Sequence, residues 1–137
     1  MQEYNPLDVS ADTTTPPGPM VITQVLAEFY GCVTPALHDA AALTAAAHAA
    51  VTSAGATVVG QAEARYVPHG LTVALFLAES HMVLTTWPEH RLLMVDVLLC
   101  NPDMDCYGVL KQLRRTVCPY GTLVTQEIRR AIGHAPA

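Results

Sequence analysis

Three polar residues in a row, Glu79, Ser80 and His81, interrupt a stretch that is apolar on both sides. A hydroxyl between a carboxylate and an imidazole belongs to the residue set of nucleophilic and acid–base chemistry. The residues alone allow two readings. The first is a tight hairpin corner open to water, where these side chains escape the cost of unpaired burial, about 1–3 kcal/mol per group. The second is a Ser/His/acid hydrolase site, which the spacing disfavours. Neighbours on a strand face opposite sides, so His81 is badly placed as a base for Ser80, and no GxSxG elbow surrounds the serine.

Other chemistries fall away on counts and spacing. Six histidines are scattered without HExxH or a Cys/His cluster, so no metal site is indicated. Cys32, Cys100, Cys106 and Cys118 lie far apart with no CxxC. Seven Lys+Arg against twelve Asp+Glu leave the 137-residue chain at −5, with no basic run to hold nucleic acid. No window approaches the roughly 20 apolar residues that span a bilayer. The start, Met1–Gln2–Glu3–Tyr4, is polar and acidic, unlike a secretory leader. The expectation is a cytoplasmic protein with reduced thiols.

The elements that must position the polar triplet can be read from periodicity. Residues 1–20, with their Thr-Pro-Pro-Gly-Pro run, read as a disordered tail. The remainder, 21–137, reads as one domain. Residues 21–30 (VITQVLAEFY) form a strand. Thr34 and Pro35 open an alanine-rich helix over 36–53 that stops at Gly55. Strands follow over 56–66, 71–79, 82–86 and 92–100, then a helix over 104–117 that Asp103 caps. Residues 121–132 read as a last strand, although Glu127–Arg130 also suits a helix. Short turns between successive strands predict an α+β two-layer sandwich, a mainly antiparallel sheet with two helices on one face.

A longer pattern surrounds the triplet. Ala78–Glu79–Ser80–His81 leads into Thr86–Trp87–Pro88–Glu89 and on to Val95–Asp96–Val97 and Cys100. This series resembles the bacterial and archaeal S-adenosylmethionine decarboxylases, whose core reads AESH, then HTWPE or HTYPE, then VDVFTCG. Upstream, Glu28–Phe29–Tyr30–Gly31–Cys32 is similar to their ELYGC. Residues 54–59 match their AGATVV, and Gly70–Leu71–Thr72 resembles their GVSG. The likeness covers roughly residues 21–115, in the same order and spacing.

The resemblance implies a specific chemistry. Decarboxylating an amino acid needs an electron sink for the carbanion left behind, and no side chain offers a carbonyl that condenses with an amine. The family makes one from its own backbone. The serine hydroxyl attacks the preceding glutamate carbonyl, and elimination cuts the chain and leaves a pyruvoyl group. By that likeness Glu79–Ser80 is the scissile bond, the products are residues 1–79 and 80–137, and the cofactor is a pyruvoyl group derived from Ser80. Cys100 matches the cysteine that protonates the product carbon. Glu89 matches the carboxylate that binds ribose hydroxyls, Tyr66 the aromatic ring that stacks on adenine, and Met82 an apolar pocket position. Thr72 takes the place of a serine that assists processing, keeping its hydroxyl. Trp87 holds the family's aromatic position. A homodimer with sites near its interface is also implied, with a small-molecule substrate and neither nucleic acid nor membrane as partner.

Departures from the family pattern bear on mechanism. Thr85 stands where the family has its processing histidine, and a hydroxyl does not titrate near neutral pH. His69, His81 and His90 are the candidates to supply that proton transfer. Gln24 replaces a family histidine and Asn101 a glycine. Three readings stand at this point. The first is an S-adenosylmethionine decarboxylase supplying the aminopropyl donor for spermidine. The second is a relative acting on ornithine or arginine. The third is a non-processing paralogue that binds ligand or an active homologue.

Overall fold

The computed structural model describes residues 20–133, so the tail expected over 1–20 lies outside the described residues except for Met20. Six strands form one antiparallel sheet: β1 (Met20–Tyr30), β2 (Val58–Arg65), β3 (Leu71–Leu77), β4 (Ser80–Trp87), β5 (Leu92–Leu98) and β6 (Thr122–Ile132). Their spatial order is β2-β3-β4-β5-β1-β6. Three helices, α1 (Thr34–His38), α2 (Ala40–Ser53) and α3 (Cys106–Val117), lie on one face. This is the two-layer α+β sandwich expected from the short turns.

The helix expected over 36–53 is divided. Asp39 leaves the helical region and its carboxylate accepts a hydrogen bond from the Ala42 N–H at 3.0 Å, so it caps a second helix instead of continuing the first. In α3, Cys106, Val109, Leu110, Leu113 and Val117 recur at helical spacing and all face the core. They meet the alanine face of α2 and the inward residues of the central strands, among them Val25, Phe29, Leu75, Leu84 and Leu93. Residues 122–132 resolve as strand, not helix, because the whole of β1 is available as a partner from Met20 to Tyr30. Its charges suit an edge.

The opposite sheet face carries no helix. Strand alternation places Phe76, Met94 and Ile128 there, and they stay 50%, 40% and 42% exposed. Thr72, Thr85, His81 and Asp96 share this face. Among the described residues no helix is long and apolar enough to cross a membrane.

Candidate active site

The β3–β4 hairpin carries both halves of the expected chemistry. Its tip is a two-residue loop, Ala78–Glu79, since Leu77 pairs directly with Ser80. Glu79 sits at φ 68°, a conformation an L side chain adopts at a cost of about 1–2 kcal/mol. The bond expected to break therefore follows a strained, exposed residue and leads into a half-buried Ser80. The Cys100 thiol, just beyond β5, donates to the Ala78 carbonyl at 3.4 Å. Glu79, Ser80 and Cys100 are thus brought together.

A second group gathers at the other end of the hairpin. Tyr66, His69, Thr72, Thr85, Thr86, Trp87 and Glu89 line a cleft of about 310 Å³. Thr72 and Thr85 are cross-strand partners, and their hydroxyls lie 2.9 Å apart. The Tyr66 hydroxyl joins the chain at 2.8 Å from Thr72 Oγ1. Thr86 faces the core, where its Oγ1 accepts from the Leu71 N–H at 3.0 Å and its O–H donates to the Leu71 carbonyl at 3.5 Å.

Glu89 is offered by a 3-10 turn, Pro88–His90, which ends at Arg91 in the left-handed region. Its carboxylate stands 2.5 Å from His69 Nε2. The hydrogen bond from its own backbone N–H, aided by His69 and His90, holds the Glu89 carboxyl below the ordinary carboxylate range. The His69 ring also meets His38 of α1 edge-on, with centroids 6.3 Å apart.

The two groups do not meet within one chain. Ser80 and Thr85 are separated by five strand positions, roughly 16 Å. Met82 lies in neither group. Its side chain points into the helix-covered core, fully buried, and packs there. A polar row that residue spacing did not suggest crosses the open face: Arg130 donates to Gln24 at 3.2 Å, Gln24 donates to Asp96 at 2.8 Å, and His81 Nε2 lies 3.4 Å from the same Asp96 oxygen. A larger groove of about 540 Å³, between α2 and β2, contains none of the expected site residues. Among the described residues no group of His, Cys, Asp and Glu is arranged to hold a metal ion.

The four thiols divide in the same way. Burial pushes the Cys32 thiol far up, and contact with Cys118 adds to the effect; burial raises Cys106 as well. Cys118 is equally enclosed, while Cys100 is open to solvent in part. The thiolate is the reactive form. Brief treatment of the native protein with iodoacetamide at neutral pH is therefore expected to label Cys100 and spare the other three. Peptide mapping by mass spectrometry checks this; equal labelling of all four would contradict the burial pattern.

Comparison with known proteins follows the same lines. Residues 23–131 match the family model described as S-adenosylmethionine decarboxylase. An S-adenosylmethionine decarboxylase proenzyme from Acidithiobacillus ferrooxidans is 33% identical over 107 residues, 78% of this chain and 80% of the relative. One from Thermosipho melanesiensis is 29% identical over 105 residues, 77% of this chain and 81% of the relative. The crystal structure of the adenosylmethionine decarboxylase from Aquifex aeolicus superposes with a TM-score of 0.73 at 26% identity, covering 85% of this chain and 96% of that one.

Proposed function

Because the chain belongs to the S-adenosylmethionine decarboxylase family, we propose that it is a self-cleaving decarboxylase of S-adenosylmethionine. Its action starts with serinolysis at Glu79–Ser80. The observation that carries this reading is the hairpin corner: a strained Glu79, a serine hydroxyl on the next residue and the Cys100 thiol hydrogen-bonded one residue upstream. These residues fit a pyruvoyl group made from Ser80. The corner is open enough for a new chain end to separate, and no packed side chain has to leave. When formed, the group supplies the electron sink for loss of CO2.

The chain's own residues supply the rest. Cys100, held beside the junction by its hydrogen bond to the Ala78 carbonyl, is the group we assign to return a proton to the product carbon, since a thiol can give and take one. Tyr66 offers a ring for stacking on adenine. Glu89, kept ionised, accepts hydrogen bonds from vicinal ribose hydroxyls. Tyr66 and Glu89 share one cleft, where a flat ring and a carboxylate together suit the adenine and vicinal ribose hydroxyls of a nucleoside, whereas ornithine or arginine would use the carboxylate for a cation and leave the adenine-stacking role idle. The product would be the aminopropyl donor for spermidine, formed in the cytoplasm.

The reading also requires two copies. The open sheet face, with Phe76, Met94 and Ile128 exposed, suits burial against a second copy. A two-fold axis lying between two such faces and perpendicular to the strands would reverse strand direction and carry the Ser80 end of one chain toward the Tyr66–Glu89 end of the other. The homodimer then has two composite sites. The test is release of labelled CO2 from carboxyl-labelled S-adenosylmethionine, ornithine and arginine in parallel. Turnover of the first above the other two is expected. Equal or greater turnover of ornithine would overturn the substrate, and no turnover of any would favour a binding paralogue.

A further inference from the structure

We propose that His69, oriented by Glu89, is the base that drives self-cleavage, acting from the cleft of one copy on the Glu79–Ser80 junction of the facing copy. The inference rests on the self-cleaving, two-copy reading above and names a residue that reading leaves open.

The cleavage has defined proton demands. The Ser80 hydroxyl adds to the Glu79 carbonyl carbon, the C–N bond breaks, and the hydroxyl proton passes to the released nitrogen. A base then takes the Cα proton of residue 80 while the Cβ–O bond breaks, freeing residues 1–79 as a carboxylate. The enamine left behind takes up water and loses ammonia. The acyl shift moves one proton from the hydroxyl to the nitrogen it releases, whereas the elimination must remove a carbon-bound proton and so needs a base that works near neutral pH.

Position 85 cannot provide it. Thr85, Thr72 and Tyr66 form a chain of three hydroxyls, each hydrogen-bonded to the next. Of the cleft's lining side chains, the imidazole of His69 is the type that exchanges protons in this range. A carboxylate only accepts hydrogen bonds, so His69 Nε2, facing Glu89 at 2.5 Å, carries the hydrogen and Nδ1 presents a lone pair. A carboxylate so placed also steadies the imidazolium that proton uptake creates, the division of labour of a base and its orienting acid.

The fold fixes this histidine where sequence distance would not. Its turn closes through the Tyr66 N–H to the Gly70 carbonyl at 2.9 Å. Gly70, at φ +100°, lies so close to β4 that an added Cβ would stand 3.1 Å from the Thr86 carbonyl oxygen. The turn is thereby pinned beside Thr85 and Thr86. The other titratable groups around the ring are His38 from α1, His90 and Glu89 from the 3-10 turn, and Tyr66 from its own turn.

The experiment follows freshly made full-length chain by intact mass across about pH 5 to 8, the range in which an imidazole changes charge. Wild type is expected to cleave faster as pH rises, with a step in that range. His69→Gln is expected to lose about 10²–10⁴-fold in rate and to lose the step. Stalled at the ester, it should be split at 79–80 by neutral hydroxylamine. The double variant His69→Gln/Thr85→His, which returns an imidazole to the same cleft from the adjacent strand, is expected to regain cleavage. Cleavage of His69→Gln at the wild-type rate with an unchanged pH profile would overturn His69 while leaving self-cleavage intact. Wild type that never cleaves would overturn both.

Discussion

Ser80→Ala is expected to leave a single full-length chain at all times, with no measurable CO2 release. Wild type should resolve into fragments ending at 79 and beginning at 80. The substitution removes one oxygen from a half-buried corner, so nothing in the core is disturbed and the thermal midpoint should hold within a few degrees. The functional effect is total because the oxygen has two tasks. It is the nucleophile that breaks the peptide bond, and its carbon framework becomes the ketone. Losing the nucleophile therefore blocks formation of the catalyst rather than slowing a step in its cycle. Intact mass and borohydride reduction in the presence of labelled substrate report separately. In wild type, reduction should fix label on the 80–137 fragment alone; in the alanine variant it should fix none. An alanine variant that still cleaves at 79–80, or still turns over substrate, would remove Ser80 from the mechanism.

What the sequence made legible follows from where the information lies. The strand–helix alternation was readable because hydrophobic period and turn chemistry are local: Leu71–Leu77 and Leu92–Leu98 are dense in branched residues, with Gly70 directly before the first and Pro88 shortly before the second. The division at Asp39 was less visible, since the alanine run continues on both sides and only the cap hydrogen bond to Ala42 decides. β6 was ambiguous because its charges reflect an exposed edge, and the deciding partner, β1, is roughly a hundred residues away. The site shows the same contrast. Glu79, Ser80 and Cys100 could be chosen from the family resemblance of their motifs, whereas the residues alone suggested no more than an exposed corner and an isolated thiol. That Met82 is core required strand parity against the helix layer. That His69 shares a cleft with Thr85 required knowing how β2, β3 and β4 pair and how closely Gly70 approaches Thr86. The separation of Ser80 from Tyr66 and Glu89 is a property of register, and no motif states it.

That separation predicts complementation between two dead chains. Ser80→Ala keeps the Tyr66–Glu89 cleft and lacks the nucleophile. Glu89→Ala keeps Ser80 and Cys100 and lacks the ribose contact. Each alone is expected to be close to inactive. In a mixed dimer with composite sites, one site takes its serine from the Glu89→Ala chain and its cleft from the Ser80→Ala chain, so it is whole; the other carries both defects. Mixed dimers isolated through two different affinity tags should therefore recover about half of wild-type activity per dimer, and an unsorted coexpressed pool about a quarter. A site built wholly within one chain gives the opposite result, because each chain then carries its own lesion into every dimer and mixing restores nothing. The physical basis is distance. A substrate whose carboxyl end reacts at residue 80 and whose nucleoside end rests on Tyr66 and Glu89 must join two ends of one β-ribbon, roughly 16 Å apart along β4, unless a second ribbon running the other way brings them face to face. Mixed dimers no more active than their parents would show that one chain closes that gap by itself, and would leave the open face with Phe76, Met94 and Ile128 to some other use.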